Sequence, residues 1–385
     1  MTVREDKRNP SPWKIRLHMI EVSKQLQDVA RKVMDNALPI QQGEVVAFAA
    51  GLQNLDLAYA FAAECEVRGI ETLVRSQGDF IGNARVEHAP IESFEREPRL
   101  TKALIDAADW YILMTGSRHD SSLFQEPHLR DRMLEIQKRS KWSFDDVFNR
   151  CLETSTHAVA FLDPSLEQAE ALSKSYEEVQ EMFLDSLDID YAALTELGKR
   201  IINRVESGGV IHLTCPNGTD LKLDADGRYW VNDDGQPDSR SSSITPYIHN
   251  LPVGEVFVAP IEDSARGVMF PKSLPGSLVR DWRIEFGKQG KAEISAEEGF
   301  EFVKPRLEKA TGNPYSIAEF AFGTNPCGDM LLATEKAYGT CHVAIGENIW
   351  LGGTNECSLH WDFLIENPTV TIDGECILSN GEFAI

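Results

Sequence analysis

Residues 43–76 read GEVVAFAAGLQNLDLAYAFAAECEVRGIETLVRS, and this stretch decides the fold. GEVVAFAAG (43–51) is a short apolar run between glycines, the pattern of a strand buried on both faces. LDLAYAFAAECEVRG (55–69) reads as a helix that Gly69 closes. IETLVRS (70–76) returns to strand-forming residues. A strand–helix–strand unit of this length pairs its strands in parallel through a right-handed crossover. ADWYILMTG (108–116) and THAVAFLDP (156–164) repeat the buried-strand pattern, so the first half is an α/β domain, doubly wound or close to it.

Outward from this core, residues 1–12 are polar with two prolines and read as a loose arm. Ile15, Met19, Val22, Leu26, Val29 and Val33 recur at helical spacing and predict an amphipathic helix from Trp13 to about Met34. Residues 165–205 are acidic and helical in pattern and carry the chain between domains. After Gly208 the texture changes. GVIHLTCPNGTDLKLDADGRYWVNDDG alternates apolar and polar residues, with Asn-Gly and Asp-Gly marking tight turns. GEVFVAP, VTIDGECIL and GEFAI continue the strand pattern, interrupted by one helix at about 296–310. The expected architecture is an α/β N-terminal domain with a parallel sheet over residues 1–205, then a β-rich α+β C-terminal domain over 206–385.

The size agrees with two domains: 385 residues, at roughly 100–200 per domain. With 42% hydrophobic and 26% charged residues the chain is an ordinary globular one, not disordered and not a disulfide scaffold. The formal charge of −23 argues against nucleic acid and anionic membranes as partners, because both require a basic footprint. The seven cysteines are scattered, with no C-x-x-C pair. The N-terminus lacks an apolar signal core, and no apolar run reaches membrane-spanning length. These features predict a cytoplasmic protein with free thiols.

P-loop, dinucleotide, nucleophile-elbow and zinc-helix motifs are all absent. Ligand-type residues concentrate instead in the second half. His360 and Asp362 lie two apart in SLHWDF, so on a strand they share a face, with Leu359, Trp361 and Phe363 opposite. His342 sits among small and apolar residues in GTCHVAIG, as a ligand or as a hydrogen-bonded core histidine. Glu319 in YSIAEFAF and Glu255 in LPVGEVFV interrupt apolar stretches, where each either faces water or has its charge paired or metal-bound. Two imidazoles and three carboxylates together suit one or two divalent metals. Cys341 and Cys357 lie near these residues but at no finger-like spacing, and read as buried structural thiols.

The ordered set NLPVGEVF, AEF, GTCHVAIG and HWDF resembles the aminopeptidase T / aminopeptidase S family of metallopeptidases across most of the second domain, and more weakly the first. The resemblance implies that Glu255, Glu319, His342, His360 and Asp362 occupy metal-ligand positions, with Glu255, Glu319 and His342 carrying catalysis. It further implies zinc, cobalt or manganese as cofactor, a peptide or small amide as substrate, and a homodimer or larger homo-oligomer. The family has a tyrosine seven residues after the first histidine; here Ile349 stands there and cannot bind a metal. The alternative relative is 2,5-dihydroxypyridine dioxygenase, an Fe(II) ring-cleaving enzyme that shares the H-x-D pair. It has a histidine where this chain has Glu319, and retention of both glutamates favours the hydrolase. His212 and His119 are the further acid–base candidates of that alternative. Tyr315 and Tyr338 are the nearest tyrosines in sequence to the missing one.

Overall fold

The computed structural model describes residues 22–76, 79–114, 127–164, 169–170, 172–236, 248–273, 277–327 and 335–385. His119, the N-terminal arm and the first part of the expected amphipathic helix lie outside the described residues. That helix runs Lys24–Asn36 and begins where Ser23 caps it, its hydroxyl accepting the Leu26 N–H at 3.3 Å.

The first sheet is built from β1 (Val45–Ala50), β2 (Glu71–Ser76), β3 (Trp110–Met114) and β4 (His157–Phe161). After them come β5 (Val210–Thr214), β6 (Asp220–Asp224), β7 (Val231–Asp233), β8 (Ile248–Leu251) and β9 (Glu255–Val258). The chain continues through β10 (Arg266–Met269), β11 (Arg280–Phe286), β12 (Ala292–Glu298), β13 (Ile317–Gly323) and β14 (Cys341–Gly346). It ends with β15 (His360–Ile365), β16 (Thr369–Ile372), β17 (Glu375–Ser379) and β18 (Glu382–Phe383).

The first sheet has the order β2-β1-β3-β4-β8 and every pairing in it is parallel. Its two faces are both covered. Val46, Phe48 and Ala50 join the core made with helices Lys24–Asn36 and Leu55–Val67, while Ala47 and Ala49 face Ile105, Val147 and Cys151 on the other side. This double covering is why β1 reads as unbroken apolar sequence.

The second half forms two antiparallel sheets. One has the order β12-β11-β10-β6-β5-β16-β17-β18, the other β15-β14-β13-β9-β7. Their inner faces share one core, in which Leu213, Leu221, Ile284 and Val370 of the larger sheet meet Val256, Phe320, Phe322, Val343 and Phe363 of the smaller. Trp230 fills its centre, with ring centroids 6.2 Å from Phe320 and 5.9 Å from Phe322. The interrupting helix is shorter than expected, Phe300–Lys309, because residues up to Glu298 extend β12 and Gly299, at φ +76°, turns the chain between the two.

Two features tie the halves together. Residues 165–205 yield helices Tyr176–Leu187 and Tyr191–Val205, capped by Ser175 and Asp190. The second of these bridges both cores: Tyr191 and Leu194 pack on the first, Ile201 and Val205 on the second. In addition β8, which lies past residue 205 in sequence, pairs with β4 and completes the first sheet. The chain then turns through Pro252–Gly254 directly into β9. Asn325, fully buried, stitches this turn: its Nδ2 donates to the Val253 carbonyl at 2.8 Å and to the Ser186 carbonyl at 3.1 Å, and its Oδ1 accepts the Cys327 N–H at 3.0 Å. A Cβ on Gly254, whose φ is +133°, would lie 2.7 Å from the Asn325 backbone nitrogen.

Asn325→Ala leaves two buried carbonyls and one partly buried N–H without this partner. The expected loss of stability is about 1–3 kcal/mol, read from urea unfolding. An unchanged unfolding midpoint would refute the role of this stitch.

Candidate metal centre

Strand register builds the site. In antiparallel sheets directly opposed residues point to the same face, and along a strand every second residue does. Glu319 is level with Ala344 and Ala344 with Asp362; Ala321 is level with His342; Gly346 with His360; Gly323 with Glu255; and Glu255 with Asp233. One face of the smaller sheet therefore carries all five expected residues, interleaved with Ala321, Gly323, Ala344 and Gly346. These small residues leave the space into which the long side chains fold. The opposite face carries Val256, Phe320, Phe322, Cys341, Val343 and Ile345 into the core. Cys341 thus points away from the site, and burial pushes its thiol well above the ordinary range.

The five side chains converge. His342 Nε2 lies 3.4 Å from Glu255 Oε2, 3.4 Å from Glu319 Oε1 and 3.9 Å from Asp362 Oδ1. His360 Nε2 lies 3.1 Å from Glu319 Oε2 and 3.2 Å from Asp362 Oδ1. Two donor sets result, Glu255–Glu319–His342 and Glu319–His360–Asp362, each with its ligand atoms within 4.8 Å of one another. Glu319 belongs to both.

The electrostatics follow from this crowding. Burial alone would raise the Glu319 carboxyl, but hydrogen bonds from His342 and His360 overcome it and hold the group down at about 2. Burial likewise opposes ionisation of Asp362, which the His360 charge holds well below the usual carboxylate range. His342 is pushed up to about 10 against its own desolvation by Glu319 and Glu255, and His360 is raised well above its ordinary value by Asp362 and Glu319. Protons on the imidazoles offset the clustered carboxylates.

The donor set fits a divalent cation. Oxygen and imidazole nitrogen suit zinc, cobalt, manganese and iron alike. Glu255 Oε2 and Asp362 Oδ1 are buried and accept no well-aligned hydrogen bond, their nearest polar neighbours being the imidazoles of His342 at 3.4 Å and His360 at 3.2 Å, so a cation could take both oxygens. His360 Nδ1 donates to the Glu347 carbonyl at 2.7 Å, which aims Nε2 at the other donors. His342 Nδ1 has no such partner.

Residues that sequence reasoning does not single out complete the cavity, which encloses about 60 Å³. Lys336 is 2% exposed, and its ammonium ion-pairs with Glu255 Oε1 and lies 3.8 Å from Glu335 Oε1. Burial and Glu255 push Asp233 up to about 7; burial and Asp362 push Glu335 up to about 7. Trp350 packs on His360 with ring centroids 4.9 Å apart, while Ile349 is 49% exposed and is not part of the cavity lining. His249 of β8 reaches the same cavity from the first sheet. In sequence, Glu335-Lys336 reads as an ordinary surface charge pair, and Asp233 as part of a turn. The one signal for Asp233 is the face that it and Glu255 share once their strands are paired. His212 lies elsewhere, with its Nε2 2.8 Å from Asp220. Tyr315 and Tyr338 do not line the cavity.

The chain is similar to known proteins along most of its length. The chain is 22% identical to aminopeptidase AmpS of Bacillus subtilis (strain 168) over 95% of its own length and 100% of that protein's. It is 21% identical to aminopeptidase PepS of Streptococcus thermophilus over 91% and 94%. Over an alignment of 187 positions that covers 43% of the chain and 44% of the relative, it is 28% identical to aminopeptidase T of Thermus aquaticus. Among solved structures, AmpT from Thermus thermophilus superposes with a TM-score of 0.67 at 22% identity, covering 94% of this chain and 99% of that one. The 2,5-dihydroxypyridine dioxygenase of Pseudomonas putida KT2440 shares the fold at a TM-score of 0.50 and 16% identity, covering 93% and 96%. The family model for the thermophilic metalloproteases, M29, matches residues 22–383, and the chain belongs to that family.

Proposed function

We propose that this chain is a metal-dependent hydrolase of the aminopeptidase type, which removes an N-terminal residue from a short peptide or cleaves a small amide. The observation that carries the reading is the pair of donor sets sharing Glu319 on one sheet face, in a chain of a metalloprotease family. Zinc, cobalt or manganese held there would polarise the scissile carbonyl and lower the pKa of a water towards neutrality. The chain's own residues do the rest. Glu319 presents one oxygen to each donor set. Glu255 and His342 complete the first set, and His360 and Asp362 the second. The Glu347 carbonyl fixes the ring of His360, and the apolar reverse face of the sheet keeps all five strand positions rigid. Glu255 and Glu319 serve as ligands rather than bases, since a cation-bound carboxylate is weakly basic.

His342, His360 and Asp362 also form a set of two imidazoles and one carboxylate, the requirement of an Fe(II) oxygenase. Glu319 between the imidazoles argues for the hydrolase. The decisive experiment treats the protein with a chelator and restores zinc, cobalt or manganese. Cleavage of aminoacyl-p-nitroanilides should vanish and return, at the same rate in air and under nitrogen. Oxygen uptake on a dihydroxypyridine with iron, and no amide cleavage with any metal, would sink the proposal.

His360→Ala removes a ligand from the second set and should lose metal, measured by elemental analysis after dialysis. Its circular dichroism should match that of the unaltered protein. A variant that keeps full metal content and activity would show that His360 is not a ligand. The homodimer belongs to the same proposal. Sedimentation should give twice the 43.0 kDa chain mass, and a monomer at all concentrations would remove that part.

A further inference from the structure

We propose that the two donor sets fill in a fixed order, Glu319–His360–Asp362 first and Glu255–Glu319–His342 second and more weakly, and that the Lys336 ammonium sets the difference. This rests on the metal-hydrolase reading and adds to it a lysine that belongs to neither donor set.

Three observations make the sets unequal. The first concerns the imidazoles. His360 is oriented in advance by the Glu347 carbonyl at 2.7 Å, whereas His342 Nδ1 is buried without a partner. A ring held by an outer hydrogen bond is the better ligand, because its tautomer and direction are already chosen.

The second concerns Glu255. Lys336 occupies its Oε1, so only Oε2 remains for a metal. Among the described residues, no lysine or arginine pairs with an oxygen of Asp362 in this way.

The third is charge. Lys336 is buried beside the Glu255–Glu319–His342 set, where little water screens it, and its ammonium repels a divalent ion across the Glu255 carboxylate. Its main chain is pinned. Its own carbonyl accepts the Asn325 N–H at 2.8 Å, and the next residue but one, Tyr338, donates its N–H to the Asn325 carbonyl at 2.7 Å. Asp233 and Glu335 face the same corner and draw cations towards it. The ammonium holds that attraction in check, so removing it should have a large effect of known sign.

The test is a titration of metal-free protein with Mn²⁺, read from the electron-paramagnetic signal of free Mn²⁺. This hard ion avoids the seven thiols. The unaltered protein should bind two ions per chain, the second roughly tenfold or more weaker than the first. Lys336→Met should tighten the second step by roughly tenfold or more and the first by clearly less, since the ammonium pairs with Glu255 and acts only from further off on Asp362. Lys336→Arg, which keeps the charge, should preserve the original pattern. His342→Ala should delete only the weaker step. Two equal steps in the unaltered protein overturn the proposal. So does a Lys336→Met variant whose second step is unchanged or weakened. If Lys336→Met fails to fold, as judged by circular dichroism, His342→Ala decides: loss of the tighter step overturns the order. Absence of any Mn²⁺ binding to the unaltered protein would bring down the hydrolase reading and the order together; bound ions of equal affinity would bring down the order alone.

Discussion

Mutual repulsion among the carboxylates of Glu255, Glu319 and Asp362 is the constraint around which the second half of this protein is built. Taken out of water, such groups stay ionised only beside positive charge. Three cations answer them: the protonated rings of His342 and His360, and the ammonium of Lys336. The first two are exchangeable, since a metal ion can displace a proton from an imidazole nitrogen. The third is fixed to the chain. Under the proposed metal-hydrolase reading the site would act as an ion exchanger with one permanent counter-charge, its surplus of acid favouring a divalent cation.

The fold supports that surplus by dividing the labour of the sheet between its faces. Phe320 and Phe322 follow Glu319 along β13 yet point the other way, into the core around Trp230. Burying each such ring contributes roughly 1.5–3 kcal/mol, which offsets the cost of holding acids on the reverse face. Alanine and glycine at the positions between the acids serve a different end. A larger residue at Ala321 or Ala344 would fill the cavity that the ligand atoms need. The irregularity between Ile317 and Glu319 lies at the point where β13 brings Glu319 level with Ala344.

Much of this is legible in the sequence, for reasons that can be named. The two-residue period of a strand alone puts His360 and Asp362 on one face, and apolar runs bounded by glycine identify the parallel strands. Glutamate within an apolar strand marks Glu255 and Glu319 as needing a partner. Pairing between distant strands is not legible. Nothing local says that β8 adds to the first sheet or that Asp233 lies level with Glu255, because register is a property of two segments and not of one. Lys336 is invisible for a related reason. A lysine beside a glutamate reads as solvated surface, and only the tertiary fold buries it against Glu255. The start of the helix at 300–309 is hidden because β12 runs on to Glu298, and only the left-handed turn at Gly299 separates the two.

The first sheet is more than a neighbour of the site. Its edge strand β8 runs into β9 through the short turn at Pro252–Gly254, so the wall that carries His249 and the strand that carries Glu255 are covalently close and locked by Asn325. His249 and His342 line one cavity, yet their charges are set in opposite directions. Burial and the adjacent His157 push His249 down to about 4, whereas the carboxylates around His342 push it up to about 10. One ring is a neutral wall and the other a charged member of the cluster, although the side chains are chemically identical. The distinction comes from which sheet each belongs to: the parallel sheet surrounds His249 with Trp110 and another histidine, and the antiparallel one surrounds His342 with acid.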